Sequence, residues 1–191
     1  MKNKHILSKN NCSGFTITEL LVTLIIAAIL SSVSFNSFQR SWRIEQLKLS
    51  ARTTAAFIEN SRVTSMQRLQ TCKLLVNDSN TSVKPAETGN ACTELQTLNI
   101  KTDIDHGSNI FLCSRTSLEE SSDPFACNSD HNNPDGTTIT FTPRGTAVGS
   151  ALIKMGISNH EQLRCIGVTS PLGLIRQGID NGNGCNFNTA F

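Results

Sequence analysis

The 191-residue sequence predicts an α+β fold: a long N-terminal helix, membrane-apolar in its first half, packed on a C-terminal antiparallel β domain with disulfides. Three observations carry this. Residues 15–35 are an apolar run whose only charged side chain is Glu19. Neither Gly nor Pro occurs from residue 15 to residue 70, so nothing punctuates a helix there. After Cys72 the pattern changes to short runs of β-branched and apolar residues bounded by Gly, Asn, Asp and Pro, with six cysteines among them.

Taken in order, residues 1–14 are a short polar leader with Lys2, Lys4, His5 and Lys9. Phe15 to Phe35 would measure about 31 Å as a helix at ~1.5 Å per residue, enough for a bilayer core. Basic residues before the run predict that the leader stays cytoplasmic and the rest crosses. An ordinary secretory signal would place small residues after the apolar run, which Ala27, Ala28 and Ser31 loosely offer. It would not place an acid inside the run. A carboxylate there costs roughly 2.5–3.5 kcal/mol on insertion scales, so a chain that keeps Glu19 uses it.

Beyond the run, Ile44, Leu47, Ala51, Ala55 and Ile58 are spaced 3, 4, 4 and 3, the stripe of an amphipathic helix. One helix over 15–70 is expected, its second half packing under a sheet. In the domain 71–191, strands are expected at 72–76, 95–101, 109–114, 137–142, 163–169 and 172–176. Residues 77–90 and 118–135 read as loops, and 149–161 as a connector with a short helical turn.

The junction Gly14-Phe15-Thr16 with Glu19 five residues after the Gly, behind a basic leader, closely resembles the N-terminus of type IV prepilins and type II secretion pseudopilins. The resemblance implies cleavage between Gly14 and Phe15 by a prepilin peptidase and N-methylation of Phe15. It implies that Glu19 guides packing against other pilin or pseudopilin subunits. It also implies a single-pass protein of the inner membrane whose C-terminal domain is periplasmic or extracellular, assembled in a pilus or pseudopilus. Many pilins carry a Pro about 20 residues into the mature helix; here no Pro occurs before Pro85. The alternatives are a DNA-binding minor pilin that serves DNA uptake and a plain membrane-anchored domain that never polymerises.

Seven cysteines are present, and Cys12 leaves with the leader. The remaining Cys72, Cys92, Cys113, Cys127, Cys165 and Cys185 are an even set, as in a domain displayed in an oxidising compartment. Six cysteines allow fifteen pairings; sequential pairing closes the shortest loops. None of the spacings suits a zinc site. The full chain has formal net charge +2; without Lys2, Lys4 and Lys9 it falls to about −1, which argues against nucleic acid as a partner on bulk charge.

Phe141-Thr-Pro-Arg-Gly145 resembles the strand-to-turn segment of GspH/FimT-type minor pilins. FimT-type pilins also carry a Gly-Arg-x-Arg motif linked to DNA uptake, where this chain reads Gly173-Leu-Ile-Arg176. One Arg is missing, which leaves Arg144, Arg164 and Arg176 as scattered candidates for DNA contact. The Asp-rich segments 103–107 and 130–136 depart from the calcium-loop pattern and read as turns. His106, His131 and His160 fall in polar stretches, and no catalytic motif, cofactor motif or metal-ligand set is legible.

Overall fold

The structure, a computed structural model, describes residues 14–86, 89–104, 109–118, 127, 136–158 and 162–188, the side chains of 32–37 excepted. His106, His131 and His160, and most of the segments 103–107 and 130–136, lie outside the described residues. The chain forms two compact units, Met1–Ser41 and Trp42–Phe191. Helix α1 (Ile17–Arg68) belongs to both.

In the first unit, every large apolar side chain from Phe15 to Leu30 is more than half exposed. Among the described residues no helix is long and apolar enough to cross a membrane. The described side chains of the apolar run stop at Ser31, short of the ~20 residues a span requires.

In the second unit, two antiparallel sheets share one core with the remainder of α1. Sheet A has the order β3-β2-β1-β5, with β1 (Cys72–Asn77), β2 (Ser82–Pro85), β3 (Leu98–Asn99) and β5 (Thr137–Phe141). Sheet B has the order β4-β6-β7-β8-β9, with β4 (Ile110–Arg115), β6 (Ala151–Ile157), β7 (Leu163–Thr169), β8 (Leu174–Asp180) and β9 (Cys185–Asn186). A single turn of helix, α2 (Ile100–Asp103), follows β3. Leu47, Ala51, Ala55 and Ile58, the stripe expected from the sequence, are buried in one cluster with Leu74, Ile139 and Phe141 of sheet A and Leu112, Ile153, Met155 and Ile166 of sheet B.

Three expectations need correction. The connector at 149–161 is β6, a central strand buried at every position. Ala-Leu-Ile-Lys-Met-Gly-Ile lacks the alternation of a half-buried strand because both of its faces are covered. The loop at 77–90 contains β2, four residues ending at Pro85. The strand expected at 95–101 shrinks to the two residues of β3 and gives way to α2.

The second covered face of sheet B is unusual for so small a domain. Register places Cys113, Lys154 and Cys165 side by side on β4, β6 and β7, on the face opposite Ile153 and Ile166. All three are buried. Phe187, from the tail after β9, sits over Gly167 and Gly178: a Cβ on Gly167 would come within 2.8 Å of its ring, and one on Gly178 within 2.5 Å of the Asn186 carbonyl. The C-terminal tail is thus a strap laid across the sheet.

Candidate functional site

The N-terminal segment starts its helix with a capping box. The Thr16 N–H and Thr16 Oγ1 each donate to Glu19 Oε2 at 2.9 Å, while the Glu19 N–H donates to Thr16 Oγ1 at 3.3 Å. This reciprocal pair satisfies donors that a helix start otherwise leaves orphaned. Glu19 therefore has a local structural role beside any assembly role. The signal was present in the sequence as Thr-x-x-Glu ahead of an apolar run. Phe15, 83% exposed, precedes the box, and Gly14 has no neighbour that a side chain would meet.

The three disulfides are Cys72–Cys92, Cys113–Cys127 and Cys165–Cys185, the sequential pairing. The first ties β1 to the segment after β2. There Asn90 takes the place of a strand: its Oδ1 accepts from the Lys73 N–H at 2.8 Å and the Cys92 N–H at 3.2 Å, and its Nδ2 donates to the Lys73 and Ala86 carbonyls. The second anchors Cys127 beside β4. The third fastens the strap.

Beneath the strap, Lys154 Nζ donates to Asp180 Oδ2 at 2.7 Å, with both side chains at most 5% exposed. Asp180 Oδ1 accepts from the Gly182 and Gly184 N–H groups at 2.8 and 3.1 Å. Burial pushes the Asp180 carboxyl up, but the bonds from Lys154, Gly182 and Gly184 outweigh it and hold the group below its ordinary value. Sequence reasoning missed this pair, because nothing in the sequence joins a Lys within an apolar run to an Asp on a strand two places along the sheet. Cys165, Asp180 and Cys185 converge closely enough to hold a metal ion, but the sulfurs are spent in the disulfide and the carboxylate in the Lys154 pair.

The Phe141–Gly145 turn docks on the end of α1. The Gly145 N–H donates to the Thr142 carbonyl at 2.8 Å, and Arg62 Nε donates to the Gly145 carbonyl at 2.8 Å. Gly145 has φ +76°, and a Cβ there would lie 2.6 Å from Met66 Sδ, so both backbone and packing select glycine.

Of the three candidate arginines, Arg164 does not share a surface with the other two. Arg144 and Arg176 are exposed, Arg144 in the turn and Arg176 on the strap side of sheet B. Arg164 points to the other face of sheet B and is 6% exposed. Burial lowers its pKa, with Glu45 of α1 acting to raise it and Arg52 to lower it further. Its surroundings are the helix, out of reach of a polyanion.

Residues 9–35 match the prokaryotic N-terminal methylation motif. No curated protein matches the chain. Two crystal structures of the type IV minor pilin FimU from Pseudomonas aeruginosa strain PAO1 are similar to it in fold comparison. One is 10% identical with a TM-score of 0.49, over 74% of this chain and 93% of that one. The other is 11% identical with a TM-score of 0.47, over 73% and 97%.

Proposed function

We propose that this chain, which carries a prepilin-type methylation motif at its N-terminus, is a minor pilin or pseudopilin, a structural subunit of a type IV pilus or a type II secretion pseudopilus. The motif over residues 9–35 is the observation that carries the reading. Prepilin peptidase cuts between Gly14 and Phe15, and Phe15 becomes the methylated N-terminus. Residues 15–35 hold the subunit in the inner membrane, and the domain 71–191 stands outside the cytoplasm. The exposed apolar side chains from Phe15 to Leu30 support this, because so long an apolar surface needs lipid or neighbouring apolar helices around it. Three disulfides support an oxidising compartment for the domain.

Mass spectrometry of the membrane-bound protein tests the processing step. The expected chain starts at methylated Phe15, and Gly14→Val abolishes the cut. A different N-terminus, or normal cleavage of the variant, would overturn the reading.

Assembly needs a sharper test than removal of Glu19, because its carboxylate also caps the helix. Glu19→Gln keeps the capping box, in which Gln serves as well as Glu, and removes only the charge. Both Glu19→Gln and Glu19→Ala should be cleaved and inserted normally. Both should be depleted in sheared filaments relative to the membrane pool by about 100-fold: in the filament Glu19 pairs with the N-terminal amine of the neighbouring subunit, and removing one partner of a buried charge pair costs ~3–5 kcal/mol. Depletion of the alanine variant alone would assign Glu19 to capping and not to assembly.

A further inference from the structure

We propose that Asn80 is an N-glycosylation site, modified on the exported chain before the β1–β2 hairpin closes. The inference rests on export of the domain as proposed above. Two Asn-x-Ser/Thr acceptor sequences fall in the described residues, Asn77-Asp-Ser79 and Asn80-Thr-Ser82, both at the β1–β2 connection. The structure separates them. Asn77 is half-buried, and its Oδ1 accepts the Asn80 N–H at 3.0 Å, closing the turn. Asn80 is exposed at the hairpin tip, and its side-chain amide makes no bond among the described residues. A glycan on Asn80 would project into solvent; one on Asn77 would break the turn.

The residues a transferring enzyme must read around Asn80 are hidden once the domain folds. Ser82, whose hydroxyl completes the acceptor sequence, is 5% exposed in β2, opposite Asn77 and Asn99. Asp78, a carboxylate two residues before the acceptor and a charged handle for a basic pocket, is 4% exposed. It accepts the Ser114 N–H at 2.9 Å and Ser114 Oγ at 2.6 Å from β4. Acceptor outside and recognition residues inside is the arrangement of a site modified on the open chain and retained by the closed one.

The co-reactant is a polyprenyl-diphosphate-linked oligosaccharide in the same membrane. The bond from the first sugar carbon to the diphosphate oxygen breaks, and a bond from that carbon to Asn80 Nδ2 forms. Polyprenyl diphosphate leaves with the electron pair, and a base of the transferase takes the amide proton. Nothing is oxidised or reduced.

The test is the full-length chain isolated from its own membranes, and from a host that supplies a polyprenyl-diphosphate-linked oligosaccharide and its transferase. Intact mass and, after reduction, the tryptic peptide Leu74–Lys101 are read out, since trypsin does not cut before Pro85. The expected result is one added glycan on Asn80, lost in Asn80→Gln and Ser82→Ala and retained in Asn77→Gln and Ser82→Thr. In membranes of that host, purified oxidised protein should be modified about tenfold or more slowly than protein first reduced and unfolded, because the hairpin must open. Wild-type protein of unmodified mass with all three disulfides formed would overturn the proposal while leaving export intact. A glycan that survives Asn80→Gln would overturn it too, as would equal rates for folded and unfolded protein. Protein with reduced cysteines in the domain would instead count against export, and with it against the premise.

Discussion

Lys154 and Asp180 face each other where neither meets water, and the bonds from Lys154, Gly182 and Gly184 hold the Asp180 carboxyl below its ordinary value. Asp180→Ala removes the buried carboxylate that Lys154 binds and should destabilise the domain by ~3–5 kcal/mol in denaturant melts. Lys154→Met combined with Asp180→Leu should recover most of that loss, because two apolar side chains of similar volume carry no desolvation penalty. The same pair sets an acid limit. The folded carboxyl lies below its unfolded value of about 3.9, so its contribution is complete above that pH and drains away as pH falls through the folded value. The melting temperature should therefore drop below about pH 4, and Asp180→Asn should remove that part of the drop. At this scale the sequence was uneven. The six cysteines and the Gly14–Glu19 cluster were legible because each pattern is local. The Lys154–Asp180 pair was not, because strand register brings its members together from 26 positions apart.

Helix α1 stops without the glycine that usually stops helices. Leu69 takes φ +52°, Gln70 N–H returns to the Ser65 carbonyl at 3.2 Å, and the Leu69 side chain is 76% exposed. This is a Schellman-type ending with a leucine in the left-handed position. Leu69→Gly should raise domain stability by about 1 kcal/mol, since a left-handed conformation costs a residue with Cβ roughly that much. A melt unchanged or lowered would mean that the leucine is held there by contacts. Helices and half-buried strands were legible in this chain where a period was present, as in Leu47–Ile58 or Thr137–Phe141. β6 was not, because a strand covered on both faces has no polar side to alternate with. β2 and β3 were too short to stand above their turn-rich surroundings.

Across the second unit, the disulfides do different work in spite of their similar loops. Cys165→Ser with Cys185→Ser should cost about 3 kcal/mol by loop entropy. It should also speed amide exchange at Gly182 and Gly184, since the strap then depends on Asp180, Phe187 and the two-residue pairing of β9 with β8. Cys72→Ser with Cys92→Ser should cost a similar amount and leave those amides protected, because that bridge lies beside sheet A. The order of the bridges along the chain has its own consequence. Each cysteine of the domain is bonded to its immediate neighbour in sequence, and no bridge encloses or crosses another. A chain threaded out of the cytoplasm from its N-terminal side presents Cys72 first, then Cys92, and so on in pairs. The second thiol of each pair, as it emerges, finds one unpaired thiol already waiting, and that thiol is the correct one. Oxidation that keeps pace with threading therefore reaches the native set without passing through a wrong pairing. Under the proposed export, the domain needs an enzyme that makes bridges and not one that shuffles them.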